Sequence, residues 1–144
     1  MRNCDRAVRY LSAQEVWRLH VEVAKQALSL GKPFVPQVRD RGLLEAAINQ
    51  PRQTFGGADL YPGIFDKAAV LARGIICSHV FIDSNKRTGL LAAAVFLRYN
   101  GYILQLSADD TESLALEIAG RRDRRSLEVS EIAKRLESGS KRAP

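Results

Sequence analysis

Apolar residues fall on helical periods along most of this chain. Val16, Leu19, Val23, Ala24 and Ala27 recur at spacings of three and four, which puts their side chains on one face of a helix. Just before them, Ser12 to Glu15 (SAQE) reads as a capping box, with the Ser12 hydroxyl accepting from the amide near Glu15 and the Glu15 carboxylate reaching back. Gly31 and Pro33 stop this helix. Asp40 is placed to cap a short second helix carrying Leu43, Leu44, Ala47 and Ile48, which Pro51 ends. Residues 52 to 63, RQTFGGADLYPG, read as an irregular loop.

From residue 64 to residue 78 the chain leaves almost no polar face, with Ala68, Ala69, Leu71, Ala72, Ile75 and Ile76 in close succession. A helix this apolar belongs in the middle of a fold. TGLLAAAVFLRYNGY predicts a second core helix ending at Asn100 and Gly101, the glycine being a natural left-handed cap. Residues 102 to 106 are enough for a strand fragment, Ser107 and Asp110 cap a helix running to about Ala119, and SLEVSEIAKRLE makes a last amphipathic helix. The expectation is an all-α fold of about six helices in a single domain, residues 1 to 138, built around a buried two-helix hairpin. Residues 139 to 144 are expected to form a disordered tail.

Composition narrows the class. A chain of 144 residues with 46% hydrophobic side chains can bury one core without staples. Charges interrupt every apolar stretch short of a membrane-spanning length, and MRNCDRAVRYL offers no apolar signal core, so a soluble cytoplasmic protein is expected. Cys4 and Cys77 are the only cysteines, and Cys77 lies in an apolar segment where a thiol behaves as a small hydrophobe. With only His20 and His79 available, a zinc cluster is not expected; magnesium held through a nucleotide suits the chain better. The net charge of +6 suits an acidic partner. Much of that charge lies in RRDRR at 121 to 125 and KR at 141 to 142, without interleaved aromatics. That pattern reads first as solvated surface, with direct nucleic-acid binding as the runner-up.

The stretch that breaks the apolar pattern is HVFIDSNKRTGLL, residues 79 to 91, which joins the two core helices. The second helix begins around Asn85, so the amides of residues 84 to 87 lie in a first turn without intrahelical partners, at the positive end of the helix. That is an anion site. Lys86 and Arg87 add two cations where the helix dipole disfavours them, a penalty that a bound polyphosphate would reverse. Asp83 is the acid beside this nest, placed to hold a magnesium ion that bridges phosphate oxygens. His79 stands on the opposite lip, and imidazole, which titrates closest to neutrality, suits a base that takes a proton from an incoming hydroxyl. Phe81 and Ile82 are expected to pin the loop by inserting into the core. Taken singly, His79 reads as a helix cap, Asp83 as an N-cap, and Lys86 and Arg87 as solvated charge. Their packing into one short loop between core helices argues for a site that moves part of a nucleotide onto a hydroxyl.

HVFIDSNKR resembles the signature of the Fic/Doc family: His, any residue, Phe, any residue, Asp or Glu, Gly, Asn, Gly or Lys, Arg. His79, Phe81, Asp83, Asn85, Lys86 and Arg87 match position by position, with the lysine typical of Doc, the death-on-curing toxins. YLSAQEVWRLH, RDRGLLEAAINQPRQTFGG, LYPGIFDKAAVLARGI and TGLLAAAVFLRYNGY are also similar to Doc-like proteins, so the resemblance covers roughly residues 9 to 120. Ser84 replaces a glycine found in many members. Leu90 stands where adenylylating members have a second arginine, which counts against AMP transfer.

The resemblance implies a Fic/Doc-like helical bundle and a toxin of a toxin–antitoxin pair. It implies transfer of the γ-phosphoryl group of ATP, with Mg2+, to a threonine of elongation factor Tu, halting translation. Carried over by position, His79 would be the general base and Asp83 the magnesium-linked acid. Ser84, Asn85, Lys86 and Arg87 would form the phosphate cradle. The implied partner is a cognate antitoxin whose C-terminal segment folds onto the toxin. Two other classes stay open: an adenylyltransferase on the same scaffold, and a non-catalytic module binding protein or nucleic acid. Intact His79 and Asp83 argue against the last, and Lys86 with Leu90 argues for the kinase over the adenylyltransferase.

Overall fold

A computed structural model describes residues 7–120 and 124–144. Cys4 and the first three residues of the RRDRR run lie outside the described residues. Among the described residues there are six α-helices: α1 (Ala13–Ser29), α2 (Arg41–Asn49), α3 (Ile64–Ser78), α4 (Asn85–Tyr99), α5 (Ala108–Ala119) and α6 (Val129–Ser138). The all-α expectation holds. The caps explain where several of the helices begin. Ser12 Oγ accepts from Glu15 N at 3.1 Å while Glu15 Oε1 accepts from Ser12 N at 3.0 Å, closing the capping box. Asp40 Oδ1 accepts from Leu43 N at 3.2 Å, and Ser107 Oγ from Asp110 N at 3.0 Å.

The apolar segment α3 is the central element, packed against α2, α4, α5 and α6, with Ala68, Ala72 and Ile75 fully buried. It pairs with α4 through small residues. A Cβ added at Gly89 of α4 would meet Ile76 Cγ1 at 2.7 Å and the Ala72 carbonyl oxygen at 3.1 Å, so this close approach requires glycine. Ala92, Ala93, Phe96 and Leu97 continue the buried face of α4, and α1 lies across it. Among the described residues, no helix is long and apolar enough to cross a membrane. Cys77 is half-buried, its Sγ 3.3 Å from the Ile118 carbonyl oxygen.

Two segments differ from the sequence expectation. The stretch expected as an irregular loop contains a 3₁₀ turn (Gln50–Arg52) and a small hairpin, β1 (Thr54–Phe55) with β2 (Ala58–Asp59). Gly56 and Gly57 make its turn at φ 59° and 83°, the two positive dihedrals that a two-residue hairpin needs. Fully buried Lys67 ties the segment to α3 by donating to Pro51 O and Asp59 Oδ2 at 3.2 and 3.1 Å, and to Tyr61 O. The tail expected to be disordered forms β4 (Ser140–Arg142), antiparallel to β3 (Tyr102–Leu104). The pairing rests on backbone bonds that no side-chain pattern announces. It is flanked by Gln105 N to Gly139 O at 2.6 Å and Ala143 N to Gly101 O at 2.9 Å, with the Arg142 guanidinium over the Tyr102 ring.

Candidate active site

The connection between α3 and α4 carries the site, and its backbone is unusual at both ends. His79, the residue that ends α3, is left-handed at φ 51° and ψ 58°. Ser84, which precedes α4, is left-handed at φ 61° and ψ 34°. Each is a conformation that a side-chain-bearing residue adopts only when its surroundings impose it. Between them Val80 and Phe81 both turn into the core, and the chain then bends at Ile82 and Asp83. Phe81 is fully buried, and Ile82, expected to insert beside it, turns outward and is 56% exposed. The bend that follows Phe81 turns the Ile82 side chain away from the core.

The anchoring is specific. Val38 forms a bridge with Phe81, flanked by Arg39 N to Val80 O at 2.8 Å and Ile82 N to Gln37 O at 3.0 Å. The Asn85 amide closes the loop from inside. Its Oδ1 accepts from Phe81 N and its Nδ2 donates to Phe81 O, both at 2.8 Å. Asn85, expected in the phosphate cradle, therefore spends its side chain on the loop, and only its backbone amide remains for an anion.

Beneath the loop lies a residue that sequence reasoning passed over. His20 of α1 is fully buried and stacked on Phe81, ring centroids 3.8 Å apart and 13° from parallel. Its Nδ1 is 2.9 Å from Thr88 Oγ1 of α4, and its Nε2 is buried with no hydrogen-bond partner among the described residues. Burial pushes the His20 ring down to about 4, opposed by the nearby negative charge of Asp83. The available signal was its place on the apolar stripe of α1, four residues after Val16 and three before Val23.

Above the loop, the cleft is an open cavity of about 610 Å³. His79, Asp83, Ser84, Asn85, Lys86 and Arg87, the six residues expected to form the site, all line it. Lys32, Pro33 and Phe34, which follow α1, form part of the wall and carried no signal of their own. The first turn of α4 has no capping side chain; the first backbone bond back to Ser84 O comes from Thr88 N at 3.0 Å. Ser84 Oγ instead donates to Asp83 Oδ1 at 3.1 Å, so neither residue acts as a side-chain cap. Lys86 and Arg87 are exposed and form no ion pair among the described residues. Among the described residues, Asp83 is the only carboxylate lining the cleft. Leu90, one helical turn beyond Lys86, is buried in the core.

At this cleft an imidazole, a carboxylate, three cations and uncapped helix amides come together, a set of groups that suits a phosphate-bearing ligand. The Fic/DOC family model matches residues 10–97, which span α1 to most of α4 and the whole connection. The chain belongs to the Fic/DOC family. It is 40% identical over 100 residues to Toxin Doc of Mycolicibacterium smegmatis, an overlap covering 69% of this chain and 75% of that protein.

Proposed function

We propose that this protein is a Doc-type toxin that transfers the γ-phosphoryl group of ATP to a hydroxyl of a translation factor resembling elongation factor Tu. The observation that carries the reading is the uncapped, cationic first turn of α4 beside His79. Its amides, with Lys86 and Arg87, would take the phosphates. An unprotonated ring nitrogen of His79 would accept the proton as the target oxygen bonds to the γ-phosphorus. The bond from that phosphorus to the bridging oxygen breaks, and ADP leaves with the electron pair.

Among the described residues no three His, Cys, Asp or Glu side chains come together to hold a metal. A single carboxylate, Asp83, fits Mg2+, which keeps water ligands and binds largely through phosphate oxygens. When bound, that ion would neutralise phosphate charge. Asp83 would orient it, and Ser84 Oγ, which donates to the Asp83 carboxylate, would steady the orientation.

Lys86 and buried Leu90 favour phosphoryl over adenylyl transfer. A lysine fills the space that a glycine leaves beside the backbone, and no second arginine follows one turn later. The partner that fits the rim is an antitoxin segment with acidic residues facing Lys32, Lys86 and Arg87 and an apolar side chain on exposed Ile82.

The test is to incubate the purified protein and a bacterial extract with ATP labelled at the α- or the γ-position in parallel, then weigh the labelled protein intact. Gain of one phosphoryl group with release of ADP supports the reading. An adenylyl adduct would replace it with the adenylyltransferase.

A further inference from the structure

His79 has its left-handed geometry although it carries a side chain, so something must hold it there. The peptide planes on either side of its Cα carry the carbonyls of Ser78 and His79. Arg39, far away in sequence, donates to both, Nη2 to Ser78 O at 2.8 Å and Nε to His79 O at 2.7 Å. Its backbone amide donates to the next carbonyl, Val80 O, at 2.8 Å. One residue thus engages three successive carbonyls. Because a guanidinium is rigid and planar, two bonds from it fix both planes relative to each other, and with them φ and ψ of His79. These carbonyls also form the negative end of α3, where a cation is favoured.

We propose that Arg39 is a positioning residue for His79: it sets the backbone that aims the imidazole into the cleft, and it touches neither nucleotide nor target. The proposal rests on the reading of His79 as the base. The side chain is exposed, so its removal leaves no cavity and the bundle should fold without it.

The position of a base affects the rate of the chemical step far more than nucleotide binding. Misplacement by about 1 Å is worth roughly 10²-fold. Arg39→Ala is therefore expected to lower the rate of label incorporation at saturating ATP roughly 10- to 100-fold, with the half-saturating ATP concentration and the melting temperature little changed. Arg39→Lys keeps the charge but offers no fixed fork, and should fall between the two. The Cα and Cβ chemical shifts of His79, which report its backbone conformation, should move in Arg39→Ala with ATP absent.

Wild-type shifts at His79 in Arg39→Ala would overturn the proposal, as would a rate loss that merely follows a loss of melting temperature. If the wild-type protein transfers nothing, the proposed reaction fails, while the His79 shifts still decide whether Arg39 sets that residue.

Discussion

The first turns of α1 and α4 open two long helices, and they are built in opposite ways. At α1 the Ser12 hydroxyl and Glu15 carboxylate satisfy backbone amides in both directions, and the acid suits the positive helix end. At α4 the preceding serine is left-handed, its hydroxyl is turned away toward Asp83, and the turn carries Lys86 and Arg87. A missing cap forgoes about 1 kcal/mol, and each cation at that end costs a further few tenths. What holds α4 in place lies elsewhere: the Asn85 clamp, the Thr88 contact with His20, and the buried Gly89 approach to α3. A helix that is secured by its packing can leave its first turn open for a ligand.

The largest effect is expected from removing the side chain that this open turn serves. His79→Ala should reduce transfer roughly 10²- to 10⁴-fold and abolish growth arrest on expression, with the melting temperature unchanged. Undiminished transfer in that variant would take His79 out of the chemistry.

Next comes acid. The His20 ring sits at about 4 in the folded protein against 6.5 when exposed. Between those values the unfolded chain binds a proton that the folded one refuses, so stability falls as pH drops from 6.5 and levels off below 4, by roughly 3 kcal/mol in all. Urea unfolding across that range measures it. His20→Phe, which keeps an aromatic ring against Phe81, should flatten the slope; an unchanged slope would assign acid sensitivity to other groups.

The smallest stability effects separate the two helix ends directly. Ser12→Ala should cost about 1 kcal/mol. Ser84→Ala should change stability by less than about 0.5 kcal/mol, since no cap is lost. Ser84→Gly should stabilise by about 1 kcal/mol by relieving the left-handed backbone. Thermal unfolding of the three variants checks the order, and a cost for Ser84→Ala equal to that of Ser12→Ala would show that α4 is capped after all.

Much of this was legible in the sequence because the relevant physics is local. The boundaries of α3 and α4, the Ser12, Asp40 and Ser107 caps, and the open amides beside Lys86 follow from spacing along a few residues. What was not legible depends on distant partners. The Asn85 amide looks free for phosphate until Phe81 is seen folded back onto it. His20 gives no hint of its place beneath residue 81, because its stacking partner comes from another element. Arg39 reaches Ser78 and His79 only when the chain before α2 lies along the loop. β4 forms because α6 delivers residues 140 to 142 beside β3, and nothing in SGSKRAP alternates. Ile82 was misread because two adjacent apolar residues were given one direction, whereas the chain bends at residue 82 and carries that side chain out to the cleft.

The central claim is that the uncapped turn of α4 is the seat of a polyphosphate. Titration of isotope-labelled protein with ATP and Mg2+, followed through backbone amide resonances, tests it most directly. Binding should shift the amides of Asn85, Lys86 and Arg87 strongly, and leave those of Ala13 to Glu15 and Ala108 to Asp110, at the capped ends, in place. Nucleotide binding that leaves residues 85 to 87 unmoved would contradict the account.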